Sequence, residues 1–96
     1  MLVAAPASPL PLAAIIAEAV SLEDAITRRW FPQARHHARL IVLRAQGAGL
    51  MQVAACGLGL LEALNASSLP AVDTLAPVLT ALLLAIDRAL ESTAPA

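Results

Sequence analysis

The chain has 96 residues, of which 59% are hydrophobic and only 14% charged, with a net charge of −1. That balance excludes intrinsic disorder, which needs low hydrophobicity and high charge, and a single cysteine excludes a disulfide scaffold. Two aromatics and few β-branched residues argue against an all-β domain; Ala (23) and Leu (18) dominate instead.

One domain fits this length. A lone chain this small buries only about two-thirds of its unfolded surface, so the apolar excess calls for a partner, and self-association is the leading expectation. The longest uncharged stretches, Met1–Ala17 and Ala45–Leu61, are 17 residues each, at the lower edge of a bilayer span of roughly 20. Gln46, Gln52 and four glycines dilute the second, which weighs against a transmembrane helix. Met1–Ala17 is a poor signal peptide, because no basic residue precedes its apolar run and Pro6, Pro9 and Pro11 interrupt it. A cytoplasmic location is the resulting expectation.

Residues 1–9 read as a flexible arm, 10–92 as one helical domain and 93–96 as a frayed tail. From Leu10 a helical period begins. Leu12, Ile15, Ala19, Leu22 and Ile26 follow a 3-4 spacing, flanked by Ile16 and Trp30. Ser21 with Asp24 offers a capping pair that could restart or kink this helix, and Pro32 is expected to end it.

The second periodic segment runs through Leu40, Leu43, Gly47, Leu50, Ala54, Gly57, Leu61 and Leu64. Its small central residues would let helix backbones approach closely, although each glycine costs about 1 kcal/mol of helix propensity. A break at Gln46–Gly49, with Gly47 as a C-cap, is the competing reading. The unbroken heptad register favours one long or gently bent helix over Gln33–Leu64.

Asn65–Pro70 then makes a polar turn. Thr74 is the expected N-cap of the last helix, with Pro77 inside its first turn. Leu75, Leu79, Leu82, Ile86 and Ala89 repeat the seam, while Asp73, Thr80, Asp87, Arg88 and Glu91 take the far face and Leu84 is its one exposed apolar residue. The predicted fold is all-α: three helices dominated by a long antiparallel hairpin, completing a bundle by dimerisation.

Charge is segregated. Arg28, Arg29, Arg35, Arg39 and Arg44 fall within 17 positions, and no acid lies between Asp24 and Glu62. Arg35, Arg39 and Arg44 could form a patch for an anionic partner. A nucleic-acid domain usually has a pI above about 9, whereas this chain sits near 6.0, and no aromatic stacking pattern accompanies the arginines. Pairing of the block with the acidic Asp73–Glu91 helix, within or between chains, is the preferred reading.

Catalytic and metal chemistry find little to work with. His36 and His37 diverge by about 100° on a helix and cannot share a metal from one segment. Cys56 lies some 28 Å further along a continuous helix and has no basic neighbour to activate it. No nucleophile elbow, P-loop or dinucleotide motif occurs. Trp30-Phe31 reads as a cap on the bundle core, with a partner hot spot as the alternative. The expectation is a non-catalytic interaction or scaffold protein without metal or cofactor, a homodimer that also binds another protein. Its interface would run through Leu43, Leu50, Ala54, Gly57, Leu61, Leu79, Leu82 and Ile86. The alternative is a peripheral membrane or lipid-contacting protein that uses amphipathic helices and the arginine block.

Overall fold

The computed structural model describes residues 9–67 and 69–93; most of the expected arm and the end of the expected tail lie outside them. The described chain is all-α, with four helices where three were expected: α1 (Pro9–Thr27), α2 (Phe31–Gly47), α3 (Met51–Asn65) and α4 (Val72–Thr93). No strand occurs among the described residues. Sequence neighbours pack side by side, α4 also touches α1, and α2 has no packing contact with α4. The chain therefore runs up and down around a ring, with α2 and α4 on the diagonal.

In α1, Pro9 and Pro11 fall in the first turn, where a missing N–H goes unnoticed. Its expected seam is the observed one: Leu12, Ile15, Ala19, Leu22 and Ile26 are all buried. Ser21 neither restarts nor kinks the helix, which is continuous to Thr27. The stop is not Pro32, which lies in the first turn of α2, but a turn at Arg28–Trp30. Arg29 takes a left-handed conformation (φ 59°). The Arg29 N–H then reaches the Ile26 carbonyl at 3.0 Å and the Trp30 N–H reaches Ala25 at 2.8 Å. These are the two bonds of a Schellman motif.

The predicted long helix is broken by the same device. Gly49 has φ +75°, its N–H meets the Gln46 carbonyl at 3.2 Å, and the Leu50 N–H meets Ala45 at 2.8 Å. The αL residue is Gly49, not Gly47, which remains the last residue of α2. The heptad register failed in α2 for a second reason: its buried stripe is Phe31, Ala34, Ala38, Ile41, Val42 and Ala45. Leu43, drawn as a seam residue, is 63% exposed. Alanines carry this stripe because α2 lies between α1 and α3 and must approach both closely. In α3 the expected seam is nearer the truth, with Ala54, Gly57 and Leu64 buried alongside Val53 and Leu60. A Cβ at Gly57 would stand 3.1 Å from Val42 Cγ2 and 3.4 Å from Ile41 Cγ2, so glycine there permits the α2–α3 approach.

Residues 66–71 connect α3 to α4, close to the expected turn. Helix α4 begins at Val72, two residues before the expected cap Thr74; the Ala71 carbonyl accepts from the Thr74 and Leu75 N–H groups at 3.0 and 3.2 Å. Pro77 consequently sits inside the helix and removes the donor that the Asp73 carbonyl would meet. Leu75, Leu82, Ala85 and Ile86 are buried, with Val78, Leu79, Leu83 and Ala89 packed at the margin. Among the described residues no polar side chain is buried, and no helix is long and apolar enough to cross a membrane.

Candidate functional site

Most of the residues expected at an interface are used inside the chain. Ala54, Gly57, Leu82 and Ile86 are buried in the four-helix core, and Leu50, Leu61 and Leu79 pack against it. Leu43 alone of that set faces solvent freely. The physical reason is the extra helix: four seams converge within one chain and bury the stripes that a three-helix fold would have left for a partner.

The arginine patch is likewise dispersed. Arg35 reaches across to the end of α3, its Nε donating to the Leu64 carbonyl at 3.2 Å and its Nη2 to Ser67 at 3.4 Å. It thereby satisfies carbonyls left over at a helix C-terminus, where a cation is also favoured by the helix dipole. Arg44 Nη2 lies 3.5 Å from Glu18 Oε2 on α1. Arg28 pairs with Asp24 one turn earlier at 3.0 Å and places its guanidinium 5.1 Å from the Trp30 ring centroid. The internal partners of the block are thus α1 and the end of α3, not the acidic α4, because α2 and α4 are diagonal. Arg39 stays exposed and makes no ion pair among the described residues.

One cluster was not anticipated. His37 Nδ1 stands 2.7 Å from Glu18 Oε1, with the two side chains 24% and 16% exposed. An ionised carboxylate only accepts, so Nδ1 carries the proton in this contact. Glu18 therefore bridges His37 and Arg44, about two turns apart on α2, and ties the two helices at the core margin. The available signal was positional: Glu18 adjoins the seam residue Ala19 and so lies at the edge of the buried face. His36 is exposed, its ring edge-on to His37 at 5.3 Å. Cys56 is free and half-buried on α3, which has no packing contact with α1. No group of three or more His, Cys, Asp or Glu residues suited to a metal occurs among the described residues.

The aromatic pair divides. Phe31 is buried at the head of α2, as expected of a core cap, but Trp30 is 51% exposed. The surface carries two grooves of note. One of about 540 Å³ lies between the start of α3 (Leu50, Met51, Val53) and the end of α4 (Ala85, Arg88, Ala89). Another of about 350 Å³ separates Ile26 and Arg29 from Val72, Leu75 and Leu79. The first brings the head of one helix to the tail of the other, so α3 and α4 run antiparallel.

Outside the grooves, each diagonal helix presents an exposed face. On α2 it comprises His36, Arg39, Leu43 and Gly47; on α4 it comprises Thr80, Leu84, Asp87 and Glu91. Compared with protein-family models, curated proteins and solved structures, the chain matches none.

Proposed function

We propose that this chain is a non-catalytic helical interaction module that works by self-association and by binding a protein partner. The observation that carries the reading is the set of large apolar side chains left outside a filled core. Val20, Leu43, Met51, Leu58, Leu69 and Leu84 are each 47–80% exposed. Singly exposed apolar residues are ordinary. Here they recur on every helix of a chain whose core already holds the seam residues, and Leu43 and Leu84 sit amid charges that can orient a partner. Contacts with other chains would then use these outer faces, not the seam.

Light scattering at increasing protein concentration tests the reading. A rise in mean mass above that of one chain is expected; a monomer up to near-millimolar concentration overturns it. The lipid-contacting alternative has less support. Two of its three patch arginines, Arg35 and Arg44, are engaged within the chain. The exposed face of α4 also carries acids, which anionic headgroups repel.

A further inference from the structure

We infer that a second copy of this chain docks head to tail, the exposed face of α2 on one copy against the exposed face of α4 on the next. The inference rests on the self-association reading and specifies its geometry. It starts from charge. Helix α2 carries Arg35, Arg39 and Arg44 and no acid, a charge of +3; α4 carries Asp73, Asp87 and Glu91 less Arg88, a charge of −2. Opposite charges normally find one another within a fold, but these helices lie on the diagonal with α1 and α3 between them. Arg35 and Arg44 are engaged within the chain, but no ion pair involves Arg39, Asp87 or Glu91 among the described residues, so that part of the complementarity is left unspent.

The apolar residues agree in register. Each face has one exposed leucine, Leu43 at 63% and Leu84 at 50%. If the two helices lie antiparallel with these leucines side by side, Arg39, four residues before Leu43, falls level with position 88 and within one residue, about 1.5 Å along the axis, of Asp87. His36 falls beside Glu91 two turns out. In the other direction Gly47, whose missing Cβ would meet nothing within 4 Å, falls beside Thr80, where a small residue eases close approach. Arg88, the one cation of α4, is also exposed and lines the groove towards α3; it flanks this face on the side of Leu84 away from Asp87.

The two faces point away from each other across the bundle, so one contact cannot satisfy both. A copy that uses its α2 face still offers its α4 face. Such a contact is heterologous and builds a ring or an open chain, in contrast to a closed two-fold dimer.

Two double variants test this. Arg39→Glu with Leu43→Glu disables the α2 face; Leu84→Arg with Asp87→Arg disables the α4 face. All four positions are exposed, and circular dichroism confirms that each variant keeps its helices. In sedimentation velocity the wild type should grow past two copies as concentration rises, and added salt should weaken it. Each variant alone should associate at least about tenfold more weakly, because like charges brought face to face are strongly unfavourable. Mixed in equal amounts, the two variants should recover growth past two copies, since each supplies the native face the other lacks and the two charge-reversed faces attract one another. A wild type that stops at a dimer, or double variants that associate as it does, overturns this geometry and leaves self-association standing. A strictly monomeric wild type overturns the self-association reading itself.

Discussion

The turns joining α1 to α2 and α2 to α3 are one object built twice, twenty positions apart. Trp30 has φ −87° and ψ 73°, and Leu50 has φ −88° and ψ 75°. The Trp30 carbonyl accepts from Ala34 and the Leu50 carbonyl from Ala54, both at 2.9 Å. The residues at the pivot differ: Gly49 in one turn, Arg29 in the other. The left-handed conformation costs a non-glycine residue about 1–2 kcal/mol, and glycine escapes that cost. The pivot geometry is therefore set by the packing of consecutive helices and by the need to satisfy their last carbonyls. Glycine eases the turn but does not create it.

What holds the costlier turn lies next to it. Phe31, the first residue of α2, is 3% exposed, whereas its counterpart Met51 at the head of α3 is 64% exposed. A buried aromatic just past the pivot anchors the α1–α2 turn where the α2–α3 turn has only a solvated methionine. Phe31→Ala should cost about 3–5 kcal/mol, as truncations of buried aromatics do, and lower the melting temperature by about 15 °C or more. Met51→Ala should change stability by less than about 0.5 kcal/mol. Thermal unfolding followed by circular dichroism reads both. Equal effects would mean that the two turns are held alike and that the contrast in burial has no energetic weight.

The contrast also explains what could be read from the sequence. The seams of α1 and α4 were legible because large aliphatics carry them, and Leu, Ile and Val stand out from an alanine background. In α2 the buried stripe is Ala34, Ala38, Ile41 and Ala45; in a chain with 23 alanines that spacing has no contrast, and the eye settles on Leu40 and Leu43 instead. The α2–α3 break was partly legible, since glycines mark it, although an apparently continuous heptad argued against it. The α1–α2 break was marked only indirectly: Pro32, expected to end the first helix, lies in the first turn of the second, and the pivot three residues earlier is an arginine, not a turn residue. Of the surface, Leu84 was legible as the exposed apolar residue of the last helix. The Glu18–His37–Arg44 tie needs two helices docked in register, which no single helical wheel supplies.

At the second pivot, alanine substitution separates backbone conformation from packing. Neither Gly47 nor Gly49 has any atom within 4 Å of an added Cβ, but only Gly49 has a positive φ. Gly49→Ala should therefore cost about 1–2 kcal/mol from the left-handed conformation alone. Gly47→Ala, in the helix and exposed, should gain about 0.5–1 kcal/mol. Urea midpoints at unchanged slope measure both. If the two substitutions had the same sign, the break at residues 48–50 would not be governed by the conformation of Gly49.

The converse substitution at the first pivot has a small effect with a definite sign. Arg29→Gly removes a conformational cost of about 1–2 kcal/mol from the folded chain, while giving the unfolded chain extra freedom that takes back about 0.4–1 kcal/mol. Arg29 is exposed and makes no hydrogen bond through its side chain among the described residues, so little else is lost. The net gain should be roughly 0.5 kcal/mol, visible as a small rise in the urea midpoint with the slope unchanged. Trp30, the only tryptophan, reports on the turn itself through its fluorescence, which should keep its emission maximum if the pivot geometry is preserved. A loss of stability would mean that the Arg29 side chain supports the turn, and the two pivots would then differ in mechanism as well as in residue.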